Sequence, residues 1–97
     1  MNRRKYKDLL ASGNAAQIEK LRENDHKDGF DGDNLAGIHV LLEDEVGELW
    51  EAIEDRDMIK IRREAADVAN YAHMIIYNCD RLLALSSKML SGDGEGV

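Results

Sequence analysis

The apolar positions of this chain recur at helical spacing. Over residues 35–55, Ile38, Leu42, Leu49, Ala52 and Ile53 fall on one side of a helix drawn at about 100° per residue. Over 58–88, Ile61, Ala65, Val68, Ala72, Ile75, Ile76, Cys79 and Leu83 do the same. Only Asp55-Arg56-Asp57 interrupts the two patterns, so they predict a long antiparallel helical hairpin. The pattern upstream is weaker. A short helix over 3–11 is expected to stop at Gly13. Asn14 then stands where it would cap a second helix over 15–27, with Ile18 and Leu21 on one side. Asp28-Gly29-Phe30-Asp31-Gly32-Asp33-Asn34 reads as a loop, with Asp33 or Asn34 capping the next helix. The last seven residues, 91–97, have almost nothing to bury and are expected to be disordered. That leaves 1–90 as a single domain.

Composition narrows the class. Proline is absent and aromatics make up 5%, which favours helices over a sandwich of strands. Charged residues at 34% suit amphipathic helices. The expected fold is therefore all-α, a helical bundle built on the hairpin. With only 97 residues the core is small, and oligomerisation is expected to complete it. A net charge of -7 argues against gripping a nucleic-acid polymer, though not against one nucleotide whose phosphates are met by metal ions. The single cysteine, Cys79, excludes an internal disulfide. No apolar run approaches the roughly 18 residues of a membrane span, and the apolar stretch after the basic start is too short for a signal peptide. A cytoplasmic location is the expectation.

The carboxylates supply the candidate chemistry. Glu45 falls in the middle of the first apolar stripe, where a leucine would be ordinary, and Glu48 lies on its flank. On the second helix Glu64 and Asp67 lie along one edge, followed by Tyr71 and Asn78. Each acidic pair is spaced i,i+3, so its members are neighbours on the helix surface. A buried carboxylate is costly unless paired or metal-bound. Two readings follow for Glu45: a site for a hard divalent cation, or a buried bridge to Arg62 or Arg63. An all-oxygen set suits Mg²⁺, with Mn²⁺ possible, rather than Zn²⁺. The Asp-rich loop does not fit an EF-hand, because Ala36 stands where glycine is needed and Leu42 where the last glutamate is. Neither long helix has the Glu-x-x-His pair of a di-iron bundle.

Glu45-Val46-Gly47-Glu48-Leu49 and, after a spacer, Glu64-Ala65-Ala66-Asp67-Val68 resemble the signature of the all-α NTP pyrophosphohydrolases. That pattern is EExxE, a spacer, then ExxD. Lys27-Asp28-Gly29-Phe30 is similar to a segment preceding it in short, phage-type MazG-like proteins. One position departs: Asp44 stands for the first glutamate. The resemblance implies a hydrolase that converts a nucleoside triphosphate to its monophosphate and pyrophosphate, with Glu45, Glu48, Glu64 and Asp67 as the metal-binding and catalytic set. It also implies a homodimer or homotetramer. Lys27, Lys60 and Arg63 are the candidate phosphate contacts, Tyr71 and Asn78 the candidate sugar or base contacts, and Phe30 the candidate stacking ring. Trp50 is expected to pack on another helix, and His39 and His73 to lie at the surface or an interface. Asn70 is assigned to a subunit contact and Cys79 to the core. The alternatives are a non-catalytic helical module for nucleotide binding or assembly, and a phosphoribosyl-ATP pyrophosphohydrolase.

Overall fold

A computed structural model describes residues 1–24 and 34–96, with side chains described through Lys88. Lys27, Phe30 and the Asp-rich loop up to Asp33 lie outside the described residues. The described chain forms three helices: α1 (Arg3–Glu23), α2 (Leu35–Glu54) and α3 (Met58–Gly96). None of them is long and apolar enough to cross a membrane.

Local chemistry sets most of the boundaries. Asn2 opens α1, its Oδ1 accepting from the Lys5 N–H at 2.9 Å. Asn34 opens α2 in the same way, accepting from the Gly37 N–H at 2.9 Å. A Cβ on Gly37 would sit 2.5 Å from the Asn34 side-chain nitrogen, so glycine is what allows this cap to close so tightly. The turn from α2 to α3 takes three residues. The Arg56 N–H donates to Ile53 O and the Asp57 N–H to Ala52 O, with Arg56 in the left-handed region at φ 55°. This is a Schellman ending, here with arginine at the position that usually takes glycine. Asp57 then caps α3, its Oδ1 accepting from the Lys60 N–H at 3.1 Å.

α3 is the shared element, packing against both α2 and α1. That arrangement corrects several expectations. Gly13 does not end a helix: α1 runs through it, and Asn14 is an exposed interior residue rather than a cap. A glycine inside a helix costs about 1 kcal/mol relative to alanine, which packing readily offsets. α1 meets α3 through Ala16 and Gln17, which are buried, while Ile18 and Leu21 face out. On α3 the most buried residues are Ala66, Asn70 and Asn78, not the predicted stripe. Ala65, Ile76 and Leu83 are exposed. A helix with two neighbours has no single buried face, so its most covered positions shift away from the apolar maximum. Ile53 of α2 is likewise exposed. The backbone of α3 runs on to Gly96. It contains no proline to interrupt the local i to i−4 bonding.

The packing is thin. Among the described residues the buried apolar side chains are Ala16, Ile38, Ala52 and Ala66. The Cα radius of gyration is 17.2 Å, against about 12.5 Å for a compact domain of this length.

Candidate metal centre between α2 and α3

Glu45 and Glu48 stand one turn apart on α2, and Glu64 projects from the first turns of α3. One carboxylate oxygen of each lies within 4.8 Å of the other two. Glu48 is exposed, while Glu45 and Glu64 are half-buried. An oxygen of Glu45 and one of Glu64 are buried with no hydrogen-bond partner. Buried carboxylate oxygens normally find donors. Two like charges at such a separation repel by roughly 3 kcal/mol at an effective dielectric near 20.

The consequence falls on Glu45. Its pKa is pushed up to about 8, first by burial, then by the neighbouring Glu48 and Glu64 carboxyls and the negative charges of Asp67 and Glu48. Tyr71 feels the same field. Burial and the charges of Glu45, Asp67 and Glu48 raise its pKa above the usual tyrosine value. Tyr71 is half-buried beside the acidic group, on the flank where the sequence put it.

Asp67 is held differently. Its carboxylate pairs with Lys20 of α1, Nζ to Oδ2 at 3.4 Å, and both side chains are largely covered. The two arginines offered as partners for Glu45 are taken up elsewhere. Arg62 pairs with Glu19, and Arg63 makes a two-pronged bond to Glu23 at 2.8 and 3.1 Å. That bond, with the charges of Arg63 and Lys20, holds the Glu23 carboxyl below its usual value. The reading of Glu45 as a bridge to Arg62 or Arg63 is therefore not what forms.

A divalent cation fits this set on the chemistry of its donors. Three carboxylates converge, two with orphaned buried oxygens, and their repulsion is what a hard dication removes. Octahedral Mg²⁺ spreads its ligand oxygens roughly 3–4 Å apart, a modest contraction of the observed spacing.

The remaining candidates are dispersed. Lys60 is exposed at the start of α3 and Asp44 is exposed on α2. Asn78 is fully buried, its amide donating to Met74 O at 2.8 Å and its oxygen accepting from Arg81. It offers no free edge to a nucleotide. Asn70, assigned to a subunit contact, is instead buried against α1. It donates to Gln17 O and accepts from Gln17 Nε2, both at 3.2 Å. His73 shares the same Gln17 amide at 2.7 Å. His39 is exposed beside Glu43. Trp50 is 59% exposed, and no described helix of the chain covers it. Cys79 is half-buried rather than central to a core.

Lys20 escaped the sequence reading. A signal was present: Gly13, Ala16, Gln17 and Lys20 share one face of α1 at i, i+3, i+4, i+7, with small residues at its first two positions. Taking Ile18 and Leu21 as the inner side of this helix hid it. An open cleft of about 560 Å³ lies between α1 and the start of α3, and Lys20, Arg22, Arg62 and Arg63 line it with Glu19 and Glu23. Its Arg62 and Arg63 are already neutralised in pairs.

Comparison of the chain with protein families, with curated proteins and with solved structures finds no match.

Proposed function

We propose that this chain is a Mg²⁺-dependent nucleoside triphosphate pyrophosphohydrolase of the MazG-like kind, converting a (d)NTP and water to (d)NMP and pyrophosphate. The observation that carries the reading is the convergence of Glu45, Glu48 and Glu64, with two buried oxygens lacking any donor and neither arginine intervening. Mn²⁺ would serve the same ligands.

Glu45, Glu48 and Glu64 would hold the ion, with Asp67 joining them. The bound ion would neutralise phosphate charge and acidify a water molecule. Water adds to the α-phosphorus, the bond to the bridging oxygen breaks, and pyrophosphate leaves. A carboxylate of the set, or the exposed Asp44 one turn before Glu48, receives the proton of the attacking water. Tyr71 stands beside the acidic group with its hydroxyl kept neutral, suited to donating a hydrogen bond to sugar or phosphate. Lys60 is an exposed cation within a helical turn of Glu64. The Asn78 side chain is engaged inside the fold, with Met74 and Arg81.

The assembly in this reading is a homodimer or homotetramer built from antiparallel α2–α3 hairpins. Its support is the apolar surface left open on both helices, Val46, Trp50 and Ile53 on α2 and Ile76 on α3. A second copy of the chain would cover it.

The test is pyrophosphate release from a panel of dNTPs, NTPs and phosphoribosyl-ATP with Mg²⁺, comparing the native chain with Glu45→Gln. Release by the native chain and none by the variant is expected. Equal, negligible rates would leave a helical nucleotide-binding or assembly module.

A further inference from the structure

α1 contributes one side chain to the neighbourhood of the carboxylates, and it is a cation. Lys20 Nζ lies 3.4 Å from Asp67 Oδ2, with 13% and 16% of the two side chains exposed. The acidic group thus has two states of compensation. Asp67 has its counter-charge, while Glu45 and Glu64 each keep a buried oxygen with no donor. The two arginines of this region are held on α1 carboxylates, Arg62 on Glu19 and Arg63 on Glu23.

We propose that Lys20 is the exchangeable counter-ion of the carboxylate site: it holds Asp67 in the ion-free protein and gives it up when a divalent cation binds. The inference rests on the metal reading above. Its physical basis is direct. An ammonium on Asp67 makes its carboxylate a poorer ligand, and a positive charge beside the site repels an incoming dication. The exchange also frees the Lys20 ammonium next to the ion, where a triphosphate brings negative charge. α1 thereby senses occupancy of a site that α2 and α3 build.

The experiment is calorimetric titration of Mn²⁺ alone into the full chain and its variants Lys20→Met, Lys20→Arg and Lys7→Met, with helicity checked by circular dichroism. Methionine keeps the length of the stem and removes the charge. Lys7→Met removes the same charge from an exposed part of α1 and serves as the control for net charge. Lys20→Met is expected to bind Mn²⁺ about tenfold more tightly than the native chain. Lys20→Arg and Lys7→Met are expected to stay within about twofold of it, since each keeps the cation at Asp67. Native-like or weaker binding by Lys20→Met, with the native chain binding normally, overturns the exchange and leaves the metal reading standing. Equal tightening in Lys7→Met overturns it too, since net charge would then account for the effect. Absence of Mn²⁺ binding in all four chains overturns the metal reading, and the exchange with it. Should Lys20→Met lose its helicity, Lys20→Gln replaces it in the same titration with the same expected gain.

Discussion

The two faces of α3 handle charge in opposite ways. Toward α1 its polar groups have partners: Asp67 with Lys20, Arg62 with Glu19, Arg63 with Glu23, and Asn70 with Gln17. Toward α2, carboxylates of one sign are pressed together, and two of their oxygens are buried without a donor. The α1 side is what a chain does when charges serve only its own packing. The α2 side is unfavourable unless something absent from the chain completes it. α1 is rich in Lys and Arg whereas α2 has six acidic residues and no Lys or Arg, so the contrast lies in composition as well as in placement. Glu45 occupies a stripe position that packing alone would give to leucine.

This contrast can be broken from either side. The largest effect is expected from a divalent ion. At about 100 times its Kd, Mg²⁺ or Mn²⁺ stabilises the chain by roughly 2.7 kcal/mol, an increase in Tm of order 10 °C or more for a domain this small. Glu45→Gln should abolish the increase in a calorimetric melt. On the α1 side, Asn70→Ala should lower stability by about 1–3 kcal/mol, because it removes two buried hydrogen bonds to Gln17. Denaturant unfolding measures this, and the metal-dependent shift should persist in the variant.

The pH dependence sharpens the comparison further. Glu45 has its pKa raised in the folded chain to about 8, from an ordinary value of 4.5. Its favourable contribution is therefore complete below pH 4.5 and is lost as pH rises toward 8. Melts in EDTA should show stability from this group falling between pH 5 and 8, and Glu45→Gln should flatten that fall. Glu23, on the α1 side, has the opposite sign. Its carboxyl is held low by Arg63, so its contribution is lost as pH falls through the carboxylate range. Arg63→Ala should remove that acid-side dependence. The smallest effect is expected at Gly47, where an added Cβ meets nothing within 4 Å. Gly47→Ala should raise Tm slightly, by up to about 1 kcal/mol of helix propensity, and a fall instead would indicate a close neighbour at that face.

Much of the site could be read from the sequence because it depends on one helical period. Glu45 in an apolar stripe, Glu48 one turn on and Glu64 at an edge are properties of single helices, and α2 and α3 bring them together. Asn34 is a recognisable cap for the same reason. What was illegible depends on which helix meets which. Asn70 was assigned to a subunit contact and Asn78 to the edge facing a nucleotide, and both are buried within the chain. They are buried because α3 is covered on more than one side. Lys20 was missed because the sequence pattern puts Ile18 and Leu21 on the inner side of its helix, whereas Ala16 and Gln17 are the buried residues. Trp50 was expected under another helix, and no described helix of this chain covers it.

Mn²⁺-induced broadening of amide resonances tests the central claim most directly, since broadening falls steeply with distance from the ion. At substoichiometric Mn²⁺ the account predicts that signals of residues 45–48 and 64–67 vanish first. Glu45→Gln should restore them. Broadening spread instead over exposed acidic residues such as Glu43, Glu51 and Glu54, and unchanged by Glu45→Gln, would contradict it.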